Sequence, residues 1–182
     1  MHQYKIRCIF TQVFTKEITL CNEIANRLAE ADPKNAAVYR NNVAAYNEKL
    51  KILDEAYQTV VSEAPIHTLL FGDRFPFRYL TDDYGLDYYA AFAGCSAETE
   101  ASFETVIYLT EKVNELQLHA VMTIEGRDHR IAETIIRNTE TKDQQILTMD
   151  SMQSSTSKDY ANGVTYLSIM EKNLEVLKEE LR

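Results

Sequence analysis

Residues 71–102 give the clearest indication of how this chain folds. They begin with Phe71-Gly-Asp-Arg-Phe-Pro-Phe-Arg-Tyr-Leu-Thr-Asp-Asp-Tyr-Gly-Leu86 and end with Ala93-Gly-Cys-Ser-Ala-Glu-Thr-Glu-Ala-Ser102. The pattern predicts a buried strand that ends at Gly72, a charged turn, a short helix from Phe75 to Tyr84 and a second strand. An acidic loop then leads to a helix that Ser102 caps. This order of elements is typical of an α/β fold.

Strands and helices alternate through the rest of the C-terminal part. Short apolar runs predict four strands, at Thr68–Phe71, Tyr88–Phe92, His119–Ile124 and Gln145–Met149. Asp128 is the predicted cap of one helix, and a single final helix is predicted from Lys158 onward. Because short apolar strands separated by helices form parallel sheets covered on both faces, we expect a four-stranded parallel sheet in a three-layer αβα arrangement.

The helix after Ser102 has a predicted apolar stripe. The stripe consists of Phe103, Val106, Ile107, Thr110, Val113 and Leu116.

The N-terminal third is predicted to be helical. A first helix from Lys16 to Ala31 has Thr15 as its N-cap, and Asp32-Pro33 ends it. The next helix has an apolar stripe with alternating spacings of four and three, formed by Tyr39, Val43, Tyr46, Leu50, Leu53, Tyr57, Val60 and Ala64. The stripe either packs against the same chain, which its tyrosines favour, or pairs with a coiled-coil partner. We therefore predict a helical arm at residues 1–64 and an α/β lobe at residues 65–182.

Composition restricts the classes of partner. The net charge of -9 disfavours nucleic acid and anionic membranes, which would repel the chain. We expect no transmembrane segment, since no apolar run is long enough to cross a bilayer. The N-terminus has no recognisable signal peptide, so the chain as written is expected to stay in the cytosol.

The strand ends predict a ligand site. Parallel strands place their carboxyl ends at one edge of the sheet. That edge would receive Gly72-Asp73-Arg74, Gly94-Cys95-Ser96, Glu125-Gly126 and Asp150-Ser151. Carboxylates that meet there suit a metal ion or another cation. The alternative is that Arg74 pairs with Glu125 or Asp150 and the charges satisfy one another.

Other chemistry has little support in the sequence. His2, His67, His119 and His129 form no helical metal pair, and we expect each to be structural or exposed. Cys95 has no histidine close in sequence to activate it, and no nucleophile elbow or nucleotide-binding loop is present. We therefore do not expect an enzyme.

The chain resembles the zinc and manganese solute-binding proteins of metal-uptake ABC transporters. The resemblance rests on Ala31-Asp-Pro-Lys-Asn-Ala-Ala-Val-Tyr-Arg-Asn-Asn-Val-Ala-Ala-Tyr46, on Tyr84-Gly-Leu86, on the acidic loop Ala97-Glu-Thr-Glu-Ala-Ser102, and on Gly163-Val-Thr-Tyr-Leu-Ser-Ile-Met170 with the residues that follow. It extends from about Thr15 onward and implies a long linking helix followed by the second of two lobes. It also implies a permease partner, a zinc or manganese ligand and an extracytoplasmic location.

The sequence departs from this family at the metal ligands. The family's first lobe, with one metal histidine, has no counterpart here. The places of two further histidines fall on Ile9 and Arg74, and an arginine cannot ligate a cation. Only the family's carboxylate ligand has a match, at Asp150, while Glu125 matches an acidic position near the site.

Two functions remain open. One is a truncated, divergent metal-binding component of a zinc or manganese uptake system, with an incomplete site in which Asp150 and Glu125 are weak ligands. In that case the site is also lined by Asp73, Arg74, Cys95 and Ser96. The other is an interaction module that binds no metal and self-associates through its helical arm, because loss of a lobe exposes apolar surface.

Overall fold

The computed structural model describes residues 14–93, 101–126 and 128–182. The elements in chain order are α1 (Phe14–Ala31), a 3-10 turn (Pro33–Asn35), α2 (Ala36–Glu63), β1 (Thr68–Phe75), α3 (Arg78–Tyr84), β2 (Asp87–Ala93), α4 (Phe103–Leu116), β3 (Ala120–Ile124), α5 (Arg130–Asn138), β4 (Gln145–Met149), α6 (Ser157–Ala161) and α7 (Tyr166–Glu180).

The four strands form one parallel sheet in the order β2-β1-β3-β4. Alternate residues of β1 face opposite sides, as the pleat requires. Leu69 and Phe71 join the core that contains residues of α2, α3 and α7, whereas Leu70 joins the core of α4 and α5. Helices therefore cover both faces, and the predicted three-layer α/β fold is confirmed.

Strand β1 is longer than predicted. It continues to Phe75, so Gly72, Asp73 and Arg74 lie within the strand and form no turn. The register with β2 shifts between Phe71 and Arg74, which marks an irregularity in the strand. Gly72 is required by packing, because a Cβ at this position would lie 2.6 Å from the Cα of Ala132 in α5. The glycine allows close approach of a helix and does not end the strand.

Helix starts also differ from the prediction, and α3 begins at Arg78 and not at Phe75. Thr15 lies inside α1 and is not its cap. Helix α5 begins after His129, which occupies the N-cap with φ 54°, and not after Asp128. The predicted final helix is two helices, because Gly163 has φ 84° and Thr165 begins a new capping box with Ser168.

The apolar stripe of α4 is only partly buried. Leu109, Thr110 and Val113 face the core, whereas Phe103 is 76% exposed and Ile107 and Leu116 are also exposed. The buried face is rotated toward Leu109, so only part of the predicted stripe is buried.

Helices α1 and α2 form an antiparallel pair, which we call the helical hairpin. Asn47 donates a hydrogen bond to Asn22 across the pair at 2.8 Å, and the ring of Phe14 lies 5.5 Å from that of Tyr57. The C-terminal half of α2 packs on the rest of the chain. Its Leu50, Leu53, Tyr57 and Val61 belong to the same buried cluster as β1. This supports packing of the stripe within the chain for that half of the helix. The division at residue 64 stays a prediction.

Candidate metal centre

The carboxyl ends of the parallel strands share one edge of the sheet, as predicted. Asp73 is buried in β1, near this edge. Its Oδ1 accepts a hydrogen bond from the backbone N–H of Arg74 at 2.7 Å, and its Oδ2 accepts a weaker one from Ile124 at 3.5 Å. Asp73 therefore bridges the end of β1 to the end of β3.

Glu125, which directly follows β3, organises the loop that follows β4. Its Oε2 accepts a hydrogen bond from the backbone N–H of Ser151 at 2.7 Å, and its Oε1 accepts one from the Ser151 hydroxyl at 2.8 Å. Gln153 and Ser154 donate further bonds to Oε1 through their backbone N–H groups at 3.1 and 3.3 Å. A carboxylate held by this many donors fixes the path of the loop. These bonds indicate a positioning role for Glu125.

Asp150 is the first residue after β4, and its backbone is held from both sides by Asn173 of α7. The Asp150 N–H donates to the Asn173 side-chain oxygen, and the Asn173 amide donates back to the Asp150 carbonyl, each at 2.8 Å. Asn173 is buried, so this pair of bonds is shielded from water. The backbone position of Asp150 is therefore well defined.

The carboxylate of Asp150 has a mixed environment. Partial burial raises the pKa of Asp150, and the nearby Glu125 charge raises it further. The N–H of Met152 donates to Oδ1 at 2.7 Å and opposes this shift, as does the charge of Lys172. A half-buried carboxylate near a second acidic side chain is an environment that a cation would stabilise.

The predicted site residues do not assemble into a complete metal centre. Within the part of the chain that the structure describes, no three His, Cys, Asp or Glu side chains form a group able to hold a metal ion. Asp73, Glu125 and Asp150 therefore share an edge without forming a three-ligand cluster. Arg74 is half-buried in β1 at the irregularity. Cys95, Ser96, His2 and Ile9 lie outside the described residues.

The three described histidines lie apart from Asp150 in the chain. His67 and His119 precede β1 and β3, at the opposite edge, as predicted. The Nε2 of His119 lies 2.7 Å from the Glu179 carbonyl oxygen. His129 begins α5, and its buried Nδ1 has no hydrogen-bond partner among the described residues.

Sequence reasoning missed the role of Asn173. The sequence contained a signal for this role, because Asn173 lies on the apolar face of the last helix together with Met170, Leu174 and Leu177. A polar residue on a buried face needs hydrogen-bond partners, and here they belong to Asp150.

Comparison with known families identifies the class of protein. A family model described as the zinc-uptake complex component A, periplasmic (ZnuA), matches residues 15–180. The chain belongs to this family, and the resemblance stated from its sequence is confirmed.

Individual relatives are longer than this chain. The zinc-binding lipoprotein AdcA of Streptococcus pneumoniae is 31% identical over 164 residues, which cover 90% of this chain and 32% of the relative. The metal ABC transporter substrate-binding lipoprotein FimA of Streptococcus parasanguinis is 28% identical over 165 residues, covering 90% of this chain and 52% of the relative. The chain thus spans between about a third and a half of these proteins.

Solved structures agree with the fold. The Zn(II)-bound ZnuA-like domain of Streptococcus pneumoniae AdcA superposes with a TM-score of 0.72 at 29% identity, covering 93% of this chain and 61% of that one. The metal-dependent lipoprotein YcdH of Bacillus subtilis gives 0.78 at 22% identity and shows the shared fold only. Within the described ranges, no helix combines the length and the apolar character needed to cross a bilayer.

Proposed function

We propose that this chain is a metal-binding, solute-binding component of an ABC-type zinc or manganese uptake system. The observation that carries the proposal is the Asp150 carboxylate, held at the sheet edge by Asn173 and by the loop that Glu125 organises. The relatives are named for zinc binding and metal transport, which supports a binding role over catalysis.

The partner and the location follow from the same proposal. A solute-binding component delivers its ion to a membrane permease, so we infer a permease of the ABC type as the partner. Two relatives are named lipoproteins, which supports an extracytoplasmic position at a membrane surface.

We infer that the metal site of this chain is incomplete and weak. Asp150 supplies one ligand, and Glu125 is committed to the loop, with Ser151, Gln153 and Ser154 as its donors. Arg74 stands at the place where the family resemblance puts a histidine, and its fixed positive charge opposes a cation nearby. Zinc sites in proteins take three or four ligands, so one carboxylate gives low affinity.

Calorimetric titration of metal-free protein with zinc and with manganese tests metal capture. We expect a dissociation constant between about 10 µM and 1 mM, and Asp150→Ala should abolish the heat of binding. Asp143→Ala is the matched control, because Asp143 is an exposed aspartate before β4 at the opposite edge of the sheet. Binding weaker than about 1 mM would refute metal capture by this chain, and equal loss in both variants would refute a site at Asp150.

The Arg74→His variant tests the explanation for weak binding. Replacing the arginine with a histidine removes a repelling charge and adds a zinc ligand. We expect at least about a tenfold gain in zinc affinity, equivalent to about 1.4 kcal/mol. Arg78→His, on the exposed start of α3, is the control for the change in charge. No gain with Arg74→His would show that position 74 is not a ligand position.

A second candidate function is an interaction module that self-associates. The observation that favours it is the exposure of apolar side chains on the helical hairpin, among them Leu20, Ile24 and Leu28. Light scattering of the purified chain tests this candidate, and a constant monomer mass over a wide concentration range would refute it.

A further inference from the structure

An apolar groove runs between α1 and α2 at the end of the helical hairpin away from the sheet. It has a volume of about 290 Å³ and is lined chiefly by Cys21, Ile24, Leu28, Tyr39, Val43 and Tyr46. Leu20, Ile24 and Leu28 repeat every four residues, which places them on one face of α1. Their exposed fractions are 54%, 50% and 44%. We call this surface the distal groove.

On its α2 side the distal groove has few charges, whereas α1 carries exposed Glu23, Arg27 and Glu30 beside the groove. Between Ala36 and Asn47, which form the first part of α2, Arg40 is the one charged residue. Val38 and Ala45, seven residues apart and close to one face, are both exposed. The remainder of α2 carries four acidic and two basic side chains, as a solvated helix does. Depletion of charge with exposed aliphatic and tyrosine side chains is the composition of the core of a protein interface.

We propose that a second copy of this chain covers the distal groove. Two antiparallel helices that share one apolar face form half of a four-helix arrangement, and an identical pair completes it by two-fold symmetry. The same groove residues then face one another, so the interface needs no second surface. This pairing presupposes the self-association considered above as the second candidate function, and it adds the surface and the symmetry.

The charge distribution favours a second copy at this surface over other surfaces of the chain. Residues 64–182 carry twenty acidic and eleven basic side chains, so two α/β lobes repel each other. Residues 14–63 carry eight acidic and six basic side chains and are close to neutral. Contact through the distal groove joins the neutral parts and leaves the acidic lobes at the two outer ends.

Sedimentation equilibrium of the full chain tests the proposal. A groove of this size gives a small interface, so we expect a monomer–dimer equilibrium with a dissociation constant on the order of 10 µM. Ile24→Asn should weaken it by more than about tenfold, because symmetry places the polar amide in the interface twice. Leu28→Asn should act in the same direction and serves as a second variant if Ile24→Asn lowers the helical signal in circular dichroism.

Ile52→Asn is the matched control. Ile52 is 60% exposed on α2 and does not line the groove, so the same substitution there should leave the dimer unchanged. If Ile24→Asn and Ile52→Asn weaken the dimer equally, the distal groove is not the interface. The same conclusion follows if the dimer resists both Ile24→Asn and Leu28→Asn. Either result would leave self-association of the chain intact. A mass that keeps rising beyond the dimer would refute the two-fold symmetry, and a monomer at all concentrations would refute the second copy. None of these outcomes depends on the zinc titration.

Discussion

In helix α2, the half after Tyr46 packs on the α/β lobe, whereas the half before it contacts α1 and the 3-10 turn among the described residues. Leu50, Leu53, Tyr57 and Val61 in the proximal half are buried. Tyr39, Val43 and Tyr46 in the distal half are only half-buried, although they continue the same apolar stripe. One sequence pattern therefore has two outcomes, because burial depends on what the fold places opposite each side chain.

The two halves of α2 should therefore differ in what they contribute to stability and to recognition. Side chains of the proximal half make contacts throughout the core, and their loss leaves a cavity that the surroundings cannot fill. Side chains of the distal half lose little on truncation, because they keep contact with water in the folded chain. Stability should therefore depend on the proximal half, and association should depend on the distal half.

Tyr57→Ala should produce the largest loss of stability. The Tyr57 ring stacks on Tyr84 with centroids 5.3 Å apart, and its hydroxyl donates to the Met170 carbonyl at 2.7 Å. We expect a loss of about 3–5 kcal/mol in the free energy of unfolding in urea. Tyr39→Ala, in the distal half, should cost less than about 1 kcal/mol. Similar losses for the two variants would contradict the contrast between the halves.

The second prediction concerns Glu180 of α7, the helix that packs against the proximal half. Glu180 is 1% exposed, and neither carboxyl oxygen has a hydrogen-bond partner among the described residues. Burial raises its pKa to about 9. Above the ordinary pKa of a glutamate, the unfolded chain releases this proton while the folded chain keeps it, so stability falls as the pH rises toward 9.

The change should be visible between pH 6 and pH 8. One proton gives a slope of up to about 1.4 kcal/mol per pH unit, so we expect a decrease of up to about 2.7 kcal/mol over this range. Glu180→Gln keeps the shape of the side chain and should remove the slope. Exposed Glu175→Gln, on the same helix, is the control. Parallel pH profiles for wild type and Glu180→Gln would show that the carboxyl is not protonated in the fold.

Tyr84→Phe should have an intermediate effect. The Tyr84 hydroxyl donates to Oδ1 of Asp54 at 2.6 Å and so ties α3 to the proximal half of α2. Bonds to charged groups contribute more than neutral ones, and we expect a loss of about 1.5 kcal/mol. A double-mutant cycle with Asp54→Ala measures the pair directly. Additive losses in the cycle would show that the two side chains do not interact.

Lys16→Gln should have the smallest effect. The Lys16 ammonium lies 4.1 Å from the centre of the Tyr79 ring, which joins α1 to α3. Exposed contacts of this kind contribute about 0.5 kcal/mol. The shift in the urea midpoint should vanish in a Tyr79→Leu background, where no aromatic ring remains. A shift of equal size in that background would assign the effect to another contact of Lys16.

Several elements could be predicted because their signals are local. The strands at residues 88–92 and 145–149 and the cap at Ser102 need only apolar runs and a capping hydroxyl, and all three are present. The edge that carries Glu125 and Asp150 was also predictable, since parallel strands align their carboxyl ends. Gly72 was misinterpreted because its role is set by Ala132, which lies sixty residues away in the chain.

The amino-acid sequence was sufficient to define the α/β class, the alternation of its elements and the acidic residues that reach one edge of the sheet. Periodicity and capping act over a few residues and can be recognised without knowing the neighbours. Three features could be recognised only in the folded chain. They are the bonds from the loop to Glu125, the two-way bond between Asn173 and Asp150, and the unequal burial of α2. Each depends on groups brought together from distant segments, and close packing of those segments determines which polar groups pair and which apolar surfaces stay uncovered.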